Sequence, residues 1–359
     1  MNVHESEKLS GLMEDLGYAK TDEEEECDVI IFNSCCIRHS AENKIIGNLG
    51  ILKPLKEKNP RLIAAVCGCM PQQPSGAERL IKLNPYIDII FGTHNLHCLQ
   101  DYIIKFEESR KRVVDIWDEG GIKEDIPVRR ERDDTAWVNI MYGCDNYCAY
   151  CIVPYVRGRE RSREYDTILA EVRGLIADGV KEITLLGQNV NSYKSGDKDF
   201  ADLLDAVAKC DGDFMVKFLT SHPKDFGEKI IAVIAANPKI ERSIHLPVQA
   251  GSDRILSLMN RKYTAAQYLD KIRSIRRVIP DCKLSTDIIV GFPSETEDEY
   301  NMTIELLREV RFSKLFGFMY SERKGTAAEK LDGQIPISIK RERIKKLLDL
   351  QKSIERGEA

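Results

Sequence analysis

The sequence predicts an α/β protein: a small domain with a mostly parallel sheet, followed by an open barrel of six βα units. Three observations support this fold class. Strand-like and helix-like patterns alternate along nearly the whole chain. Most strand patterns are short continuous apolar runs, which are typical of buried parallel sheets. The six strand–helix units occupy about 200 residues, too few for a closed eight-fold barrel.

The first domain is predicted to span residues 1–106. Its predicted strands are 28–33, 62–66 and 87–91. Its predicted helices are 5–18, 40–59 and 77–83, of which the second is capped by Ser40 and kinked or ended by Pro54. The chain begins on a helix, where such a domain would normally open with a strand. We therefore expect that the beginning of the protein is missing.

A charged connector, residues 107–134, leads to the barrel domain at 135–335, and 336–359 is a final segment with a helix over 338–354. The connector is interpreted mainly as solvated surface. The predicted barrel strands are 137–141, 182–186, 215–219, 243–248, 284–290 and 314–319. An opening in such a barrel can admit a large substrate.

The composition is that of an ordinary globular protein, with 43% hydrophobic and 31% charged residues. A net charge of −5 excludes a generally basic nucleic-acid binder, so any RNA-binding surface must be a local patch. The start is polar, and no apolar stretch reaches membrane-spanning length. Eleven cysteines in a chain of this size favour a reducing cytoplasm and a metal-binding or catalytic use. We expect a cytoplasmic protein without a membrane contact.

Cys144, Cys148 and Cys151 fall in the loop after the first barrel strand. Three thiolates so close together can ligate three of the four irons of a cubane iron–sulfur cluster. No fourth cysteine lies nearby, so the fourth iron would be open to another ligand. A structural zinc site, which usually needs four ligands, and a chance group of cysteines are the alternatives. The spacing, with Tyr150 before the last cysteine, resembles the signature of the radical S-adenosylmethionine (SAM) superfamily. That resemblance implies that SAM binds the open iron through its amino and carboxylate groups and is cleaved to a 5′-deoxyadenosyl radical.

Polar loops follow the other barrel strands and would share one face of the barrel. Gly187 lets backbone approach a ligand, and Gln188 and Asn189 offer amide groups for the ends of a zwitterion. His222 suits a ribose hydroxyl or the substrate, or is a satisfied structural histidine. Gly291 lets an adenine lie against a strand end. Tyr150 covers that adenine or fills core. The candidate cofactor-binding residues are Tyr150, Gly187, Gln188, Asn189, Ser221, His222, Gln249 and Gly291.

Arg157, Arg159, Arg161 and Arg163 alternate just past the cysteine loop. Alternation in an extended segment puts the side chains on one side. The row is a candidate RNA-binding surface, because it presents cations to phosphates. A solvated charged loop is the alternative, since Glu160 interrupts the row.

Cys35 and Cys69 follow the first two strands of the N-terminal domain. Adjacent parallel strands would bring these strand ends into one site, so we expect the two cysteines to approach each other. Two buried structural cysteines are the alternative.

Together these segments resemble the methylthiotransferase family of the radical SAM superfamily, in particular its tRNA-acting branch. The matching stretches span nearly the whole chain and are 33–38, 92–97, 142–158, 186–192, 220–226, 245–249 and 287–293. The resemblance implies a partial TIM barrel and two [4Fe–4S] clusters. One, on Cys144, Cys148 and Cys151, cleaves SAM. The auxiliary one uses three N-terminal cysteines, matched here by Cys35 and Cys69.

The implied reaction is methylthiolation of C2 of N6-isopentenyladenosine next to the anticodon of tRNA. It combines hydrogen abstraction, sulfur insertion and methyl transfer from a second SAM. Implied partners are tRNA, SAM and an electron donor such as flavodoxin or ferredoxin, and a monomer is expected. The alternatives are a methylthiotransferase acting on threonylcarbamoyladenosine in tRNA or on a ribosomal protein, and a non-catalytic iron–sulfur-binding fragment.

Two parts of the family pattern are not found. The first auxiliary-cluster cysteine would lie two residues before Met1, and Cys36 or Cys67 would replace it only by rearrangement. The C-terminal RNA-binding domain of the family, called TRAM, is absent after Ala359. We therefore expect a chain truncated at both ends.

Overall fold

The computed structural model describes residues 1–36, 39–219 and 221–358, which form two compact units. The N-terminal unit comprises Met1–Asp133 and Ile152–Arg161. The barrel unit comprises Asp134–Cys151 and the described chain from Ser162 onward. The sequence assigned 152–161 to the barrel domain. In the structure Ile152 and Val156 pack into an apolar core of the N-terminal unit, which explains the difference.

A four-stranded parallel sheet forms the centre of the N-terminal unit. Its strands are β1 (Val29–Ser34), β2 (Ile63–Gly68), β3 (Ile89–Phe91) and β4 (Val113–Asp115). They pair in the order β1-β2-β3-β4. The first three confirm the predicted strands to within two residues at each end. The fourth lies inside the charged connector, where no strand was predicted, because three residues between charges leave no readable period.

Helices cover both faces of this sheet. They are α1 (Asn2–Asp15), α2 (His39–Asn48), α3 (Leu52–Lys58), α4 (Gly76–Leu83), α5 (Leu99–Ser109) and α6 (Val153–Arg157). Short 3-10 turns occupy Glu24–Glu26, Leu49–Ile51 and Leu96–Cys98. Ile63 and Ala65 of β2 face the core with α1 and α5, whereas Ala64 and Val66 face the core with α3, α4 and α6. This alternation follows from the two-residue period of a strand.

The single helix predicted over 40–59 is two helices, α2 and α3. Pro54 lies in the first turn of α3, where its missing N–H has no helical partner to lose. The side chain of Ser40, the predicted cap, lies outside the described residues.

Downstream of Asp134 the strands are β5 (Thr135–Asn139), β6 (Met141–Tyr142), β7 (Arg161–Ser162), β8 (Glu182–Leu186), β9 (Lys194–Ser195), β10 (Lys198–Asp199), β11 (Met215–Phe218), β12 (Ser243–His245), β13 (Lys283–Val290) and β14 (Lys314–Met319). Six of them are parallel neighbours: β11-β8-β5 form one sheet and β12-β13-β14 another. An isolated parallel bridge, Val216↔Ile240, links the end strand β11 to the chain entering β12. This arrangement confirms the predicted open (β/α)6 barrel.

The helices of the barrel unit are α7 (Tyr165–Ala177), α8 (Phe200–Ala208), α9 (Glu228–Ala236), α10 (Asp253–Leu258), α11 (Ala265–Val278), α12 (Glu297–Val310) and α13 (Ile337–Glu355). Further 3-10 turns occupy Val190–Ser192, Pro223–Asp225 and Ala327–Lys330. Capping boxes at Asp199, Thr264 and Thr296 begin α8, α11 and α12. One large apolar core lies between the strands and the helices of this unit. Because the barrel strands run parallel, the loops that follow them share one face. In the described part of the chain, no helix has the length and apolar character that a membrane span requires.

Candidate active site

The cysteine loop, residues 143–151, is fixed at both ends. Gly143 has φ 76°, a conformation that favours glycine, and turns the chain out of β6. Its N–H donates to the side-chain oxygen of Gln188, which comes from the loop after β8. At the other end, the Cys151 N–H donates to the Cys148 carbonyl at 2.9 Å and closes a turn. The three predicted cluster ligands therefore sit on an ordered loop at the C-terminal face of the barrel.

Two N–H donors support the sulfurs of this loop. Cys144 and Cys148 are buried, and Cys151 is half-buried. The Asn146 side-chain amide donates to Cys144 Sγ at 3.3 Å, and Arg261 Nη1 donates to Cys148 Sγ at 3.4 Å. Hydrogen bonds of this kind orient ligating thiolates and stabilise their charge. The loop thus has the surroundings that cluster ligands need.

Arg261 was not predicted as a site residue. Its Nε donates to the Tyr263 hydroxyl and its Nη2 to the Pro247 carbonyl, both at 2.8 Å. Its Nη1 also lies 3.5 Å from the Tyr150 hydroxyl. Arg261 stands 113 positions from Cys148, beyond α10, and no sequence pattern connects the two. The fold alone brings this cation to the sulfur.

Eight buried polar atoms from this end of the barrel lack a hydrogen-bond partner within the described chain. They are Asn139 Oδ1, Asn146 Oδ1, Asn189 Oδ1, Asn191 Nδ2, Ser221 Oγ, His222 Nε2, Gln249 Oε1 and Tyr320 Oη. All come from the C-terminal end of a parallel strand or from the loop that follows it. Buried polar groups are normally satisfied, so this set fits a site for a polar small molecule that supplies the missing partners.

Four of the predicted cofactor-binding residues belong to this set: Asn189, Ser221, His222 and Gln249. The Asn189 amide donates to an Asp225 carboxylate oxygen at 2.7 Å, which leaves its own oxygen available. Burial, reinforced by nearby cationic side chains, lowers the pKa of His222 to about 2. His222 is therefore neutral at cellular pH and suits hydrogen bonding rather than proton transfer. The sequence missed Asn139, Asn146 and Asn191, whose amides carry no distinguishing pattern.

Protein packing gives a second reason for the two predicted glycines. A Cβ at Gly187 would clash with Met141, and one at Gly291 would clash with the aliphatic chain of Lys340. Packing by itself favours glycine at these positions, and their contact with a cofactor stays a prediction. Tyr150 packs against a small apolar core beneath the loop, which agrees with its alternative interpretation as a core residue.

The N-terminal cysteines also lie at strand ends. The parallel pairing of β1 with β2 places Ser34 opposite Gly68, so Cys35 and Cys69 are the next residues on each side. The Cys69 N–H donates to the Ser34 carbonyl at 2.9 Å. The expected meeting of these strand ends is therefore seen in the structure.

The Cys36 side chain hydrogen-bonds that of Cys69, and the approach of Cys35 to Cys69 stays a prediction. Cys36 and Cys69 both belong to the core with α3, α4 and α6. The hydrogen bond from Cys36 lowers the pKa of Cys69 to about 6, and Arg157 adds to this effect against burial. The same bond and burial raise the pKa of Cys36. Burial, and then the charge of Glu5, raises the pKa of Cys67 well above its usual range.

The alternating arginines do not form the expected phosphate-binding row. Arg157 and Arg163 are buried and each is paired with a carboxylate. Arg161 is half-buried and donates to the Gly120 carbonyl, whereas Arg159 is exposed. The reason is local: Arg157 ends the helix α6 and Arg161 begins the strand β7, so the four arginines do not lie in one extended segment.

No group of three or more His, Cys, Asp or Glu side chains among the described residues is placed to hold a metal ion. The thiolates of a cubane bind different irons, so they surround the cluster instead of meeting at one point. By donor chemistry the cysteine loop fits such a group, since it offers three thiols with N–H donors on two sulfurs. Ile37, Arg38 and Thr220, which belong to the stretches that carry the resemblance, lie outside the described residues.

Two family models match the chain: the radical SAM superfamily over residues 138–307, and the uncharacterized protein family UPF0004 over residues 1–92. Among solved structures, the radical SAM methyltransferase TsrM from Kitasatospora setae has a TM-score of 0.65, at 14% identity, over 88% of this chain and 70% of that chain. The cobalamin-dependent SAM radical enzyme OxsB has a TM-score of 0.62, at 12% identity, over 97% of this chain and 53% of that chain. These two likenesses concern the fold alone. Together with the family models, the fold and the cysteine loop define a radical SAM enzyme.

Curated relatives narrow the family. The tRNA-2-methylthio-N(6)-dimethylallyladenosine synthase of Acetivibrio thermocellus is 49% identical over 99% of this chain and 75% of its own length. The synthases of Clostridium tetani and Pelotomaculum thermopropionicum are 50% and 48% identical over 99% and 100% of this chain, and 80% and 82% of their own lengths. The chain belongs to this family of radical SAM methylthiotransferases. It is a transferase whose cofactors are SAM and two [4Fe–4S] clusters.

Proposed function

We propose that the chain methylthiolates C2 of N6-isopentenyladenosine beside the anticodon of tRNA. The observation that carries this proposal is the identity of 48–50%, over nearly the whole chain, to synthases named for that product. The C2–H of an adenine is too weakly acidic for any side-chain base. When bound, the cluster of the cysteine loop and SAM supply the radical chemistry that such a bond requires.

The chain's own residues position the reactants and exclude water. Asn146 and Arg261 hold two of the three ligating sulfurs in place. The buried polar atoms of Asn189, Ser221 and His222 offer partners to the amino, carboxylate and ribose groups of SAM. A neutral His222 donates or accepts one hydrogen bond without changing the charge of the site. Burial of these groups keeps water away from a reactive intermediate.

The proposed partners follow from the reaction. The radical step consumes an electron, which a small redox protein such as flavodoxin or ferredoxin supplies. The substrate is a cytoplasmic RNA, so we place the enzyme in the cytoplasm; that it acts as a monomer is a separate part of the proposal. SAM enters twice, as the radical source and as the methyl donor.

The test is expression of this chain in a bacterial strain that lacks its own enzyme, followed by mass spectrometry of the nucleosides of its tRNA. The expected product is 2-methylthio-N6-isopentenyladenosine. In parallel, anaerobic reconstitution should give about four irons on the cysteine loop and release of 5′-deoxyadenosine from SAM after reduction.

Cys148→Ala should abolish both signals. Cys282→Ala changes a half-buried cysteine just before the barrel strand β13; it is the matched control and should retain both signals. A methylthio group on threonylcarbamoyladenosine would replace the proposed substrate. An unmodified tRNA pool together with intact SAM would refute the proposed activity.

A further inference from the structure

The inner face of the barrel carries side chains that neither the cysteine loop nor the unpartnered polar atoms account for. Along β13, Ile288 and Val290 belong to the apolar core with the helices, whereas Asp287 and Ile289 alternate with them and are half-buried. Because successive side chains of a strand point to opposite faces, Asp287 and Ile289 face the inside of the barrel. Their remaining exposure means that the described chain does not fill this part of the interior.

The neighbouring strand β14 continues this face with two aromatic rings. Phe316 lies opposite Asp287 in the parallel register, and Phe318 lies opposite Ile289. The intervening Gly317 faces α13, since a Cβ there would meet side chains of that helix. Phe316 is 37% exposed, although it is a large apolar residue on the inner face. An exposed apolar ring beside a few polar groups in a concave surface is typical of a site for a small organic group.

Asp287 is held by a histidine from the strand on its other side. His245 Nε2 lies 3.5 Å from Asp287 Oδ2, and His245 Nδ1 lies 3.0 Å from Ser285 Oγ. The His245 and Phe316 rings pack edge to face with 5.8 Å between their centres, and the Lys314 ammonium lies 5.0 Å from the centre of the Phe316 ring. Among the described residues, no other side chain pairs with the Asp287 carboxylate, whose side chain is 26% exposed. The carboxylate thus keeps acceptor capacity toward the inside of the barrel.

This group of side chains borders the candidate SAM residues. Gln249 donates its N–H to the Asp287 carbonyl and accepts the Ile289 N–H, both at 2.9 Å. It has φ 75°, a conformation that residues other than glycine rarely adopt, and its buried side-chain oxygen has no partner in the described chain. Ile289 also packs against the small apolar core that contains Ala149 and Tyr150 of the cysteine loop. A molecule in contact with Asp287 and Ile289 would therefore lie beside the residues that serve the radical step.

We propose that Asp287 and Phe316 are the specificity-determining contacts for the target base. The Asp287 carboxylate accepts the N6–H of the adenine, and Phe316 packs on the N6 substituent, while His245 is the positioning residue that orients the carboxylate. The inference rests on the proposed function, whose substrate carries a five-carbon apolar group on N6. An apolar ring favours such a group over a hydrogen atom, because their contact removes apolar surface from water.

The experiment measures the binding of two anticodon stem–loop RNAs that differ only at the target nucleotide, which is N6-isopentenyladenosine in one and adenosine in the other. The full chain is reconstituted anaerobically with iron and sulfide and given SAM without a reductant, so that no turnover occurs. The parent should bind the isopentenyl RNA about ten-fold more tightly, which is the effect of burying about two methylene groups. Phe316→Ala should lose this preference and keep its affinity for the adenosine RNA.

Asp287→Ala should instead weaken the binding of both RNAs about ten-fold, because both carry an N6–H. Asp287→Asn keeps an acceptor oxygen, so its affinities should lie between those of Asp287→Ala and the parent. Met319→Ala is the matched control for Phe316→Ala. Met319 is also 37% exposed and lies on β14, but the two-residue period places it on the face of Gly317, toward α13. This control should keep the preference of the parent.

Equal affinities for the two RNAs in the parent, no binding of either, or a full preference in Phe316→Ala would overturn the proposal. Loss of affinity for both RNAs in Phe316→Ala at an unchanged melting temperature would overturn it as well. If the melting temperature falls, Phe316→Gln, which fills more of the space without an apolar ring, decides by the same comparison. The proposed function fails separately, when the reduced parent forms no methylthio product. A parent that forms this product without preferring the isopentenyl RNA refutes only the inference.

Discussion

A neutral imidazole at the end of β11 couples the stability of the barrel unit to pH. His222 is 5% exposed, and burial, then Arg261 and Lys224, lower its pKa to about 2. In the unfolded chain its pKa is about 6.5. Between these two values the unfolded state binds a proton that the folded state does not. The contribution of the neutral His222 to the free energy of unfolding is therefore fully present above about pH 6.5. It is lost progressively as the pH falls below that value.

His222→Asn should lose less stability than the parent when the pH is lowered from about 7.5 to about 5. The expected difference is about 2 kcal/mol, because each pH unit below the unfolded pKa contributes about 1.4 kcal/mol. The free energy of unfolding by urea, measured for both proteins at both pH values, gives the comparison. His97→Asn, at a half-buried histidine, is the matched control and should change the pH dependence less. Equal pH dependence in His222→Asn and the parent would contradict a neutral, buried His222.

The residues around the sulfurs show what a sequence reveals and what it hides. The three cysteines of the loop were predicted from their spacing, which is a local property. Asn146 lies between two of these cysteines, yet its hydrogen bond to the Cys144 sulfur was not predicted, because an asparagine in a loop is not distinctive by itself. Arg261 reaches the Cys148 sulfur only through the tertiary fold. Its role could be recognised only from the structure.

At the scale of elements, Lys340 makes one of the contacts that hold α13 on the barrel strands. Lys340 lies over Gly291, at the end of β13, and its ammonium donates to the Tyr320 carbonyl at 3.0 Å. Gly291 has φ 69°, a region that side chains rarely adopt. A methyl group there would meet both a strained backbone and the stem of Lys340.

Gly291→Ala should therefore destabilise the protein by about 2–4 kcal/mol, the sum of backbone strain and overpacking. Gly174→Ala is the matched control: Gly174 is exposed in α7 and a Cβ there meets nothing within 4 Å. This control should stabilise the protein by about 0.5–1 kcal/mol, since alanine favours a helix over glycine. Urea unfolding measures both. If Gly291→Ala proved as stable as the parent, the close packing of α13 on this strand end would be wrong.

The elements that the sequence predicted well are the ones that carry a continuous apolar run. β8 and β14 begin and end at the predicted residues: β8 is almost wholly buried, and β14 is an apolar run at the edge of its sheet, in which only Leu315 is buried. β4 and α6 were missed because three and five residues are too short to display a period. Pro154 made the start of α6 harder to see, although a proline is well accepted in a first helical turn. Because α6 was missed, its last residue, Arg157, was assigned to an extended row of arginines.

At the scale of the whole molecule, charge limits how tRNA can be held. The net charge is −5, so phosphates must be met by local cations. The burial of Arg157 and Arg163 removes two candidates from the row that the sequence suggested. Arg159 is the exposed member of that row. The structure therefore separates two buried, carboxylate-paired arginines from the exposed Arg159, whose contact with RNA stays a prediction.

Arg159→Ala should weaken tRNA binding and reduce the slope of log K against log salt concentration by about one, the effect of losing one phosphate contact. Binding titrations at several salt concentrations measure that slope. Arg273→Ala is the matched control, because Arg273 lies on α11 and forms ion pairs with Asp270 and Glu309. It should leave the slope unchanged. Arg163→Ala should lower the free energy of unfolding, since it breaks a pair with Glu171, and also leave the slope unchanged. If the salt slope dropped in Arg163→Ala and not in Arg159→Ala, the phosphate contact would belong to Arg163, and the prediction for Arg159 would be wrong.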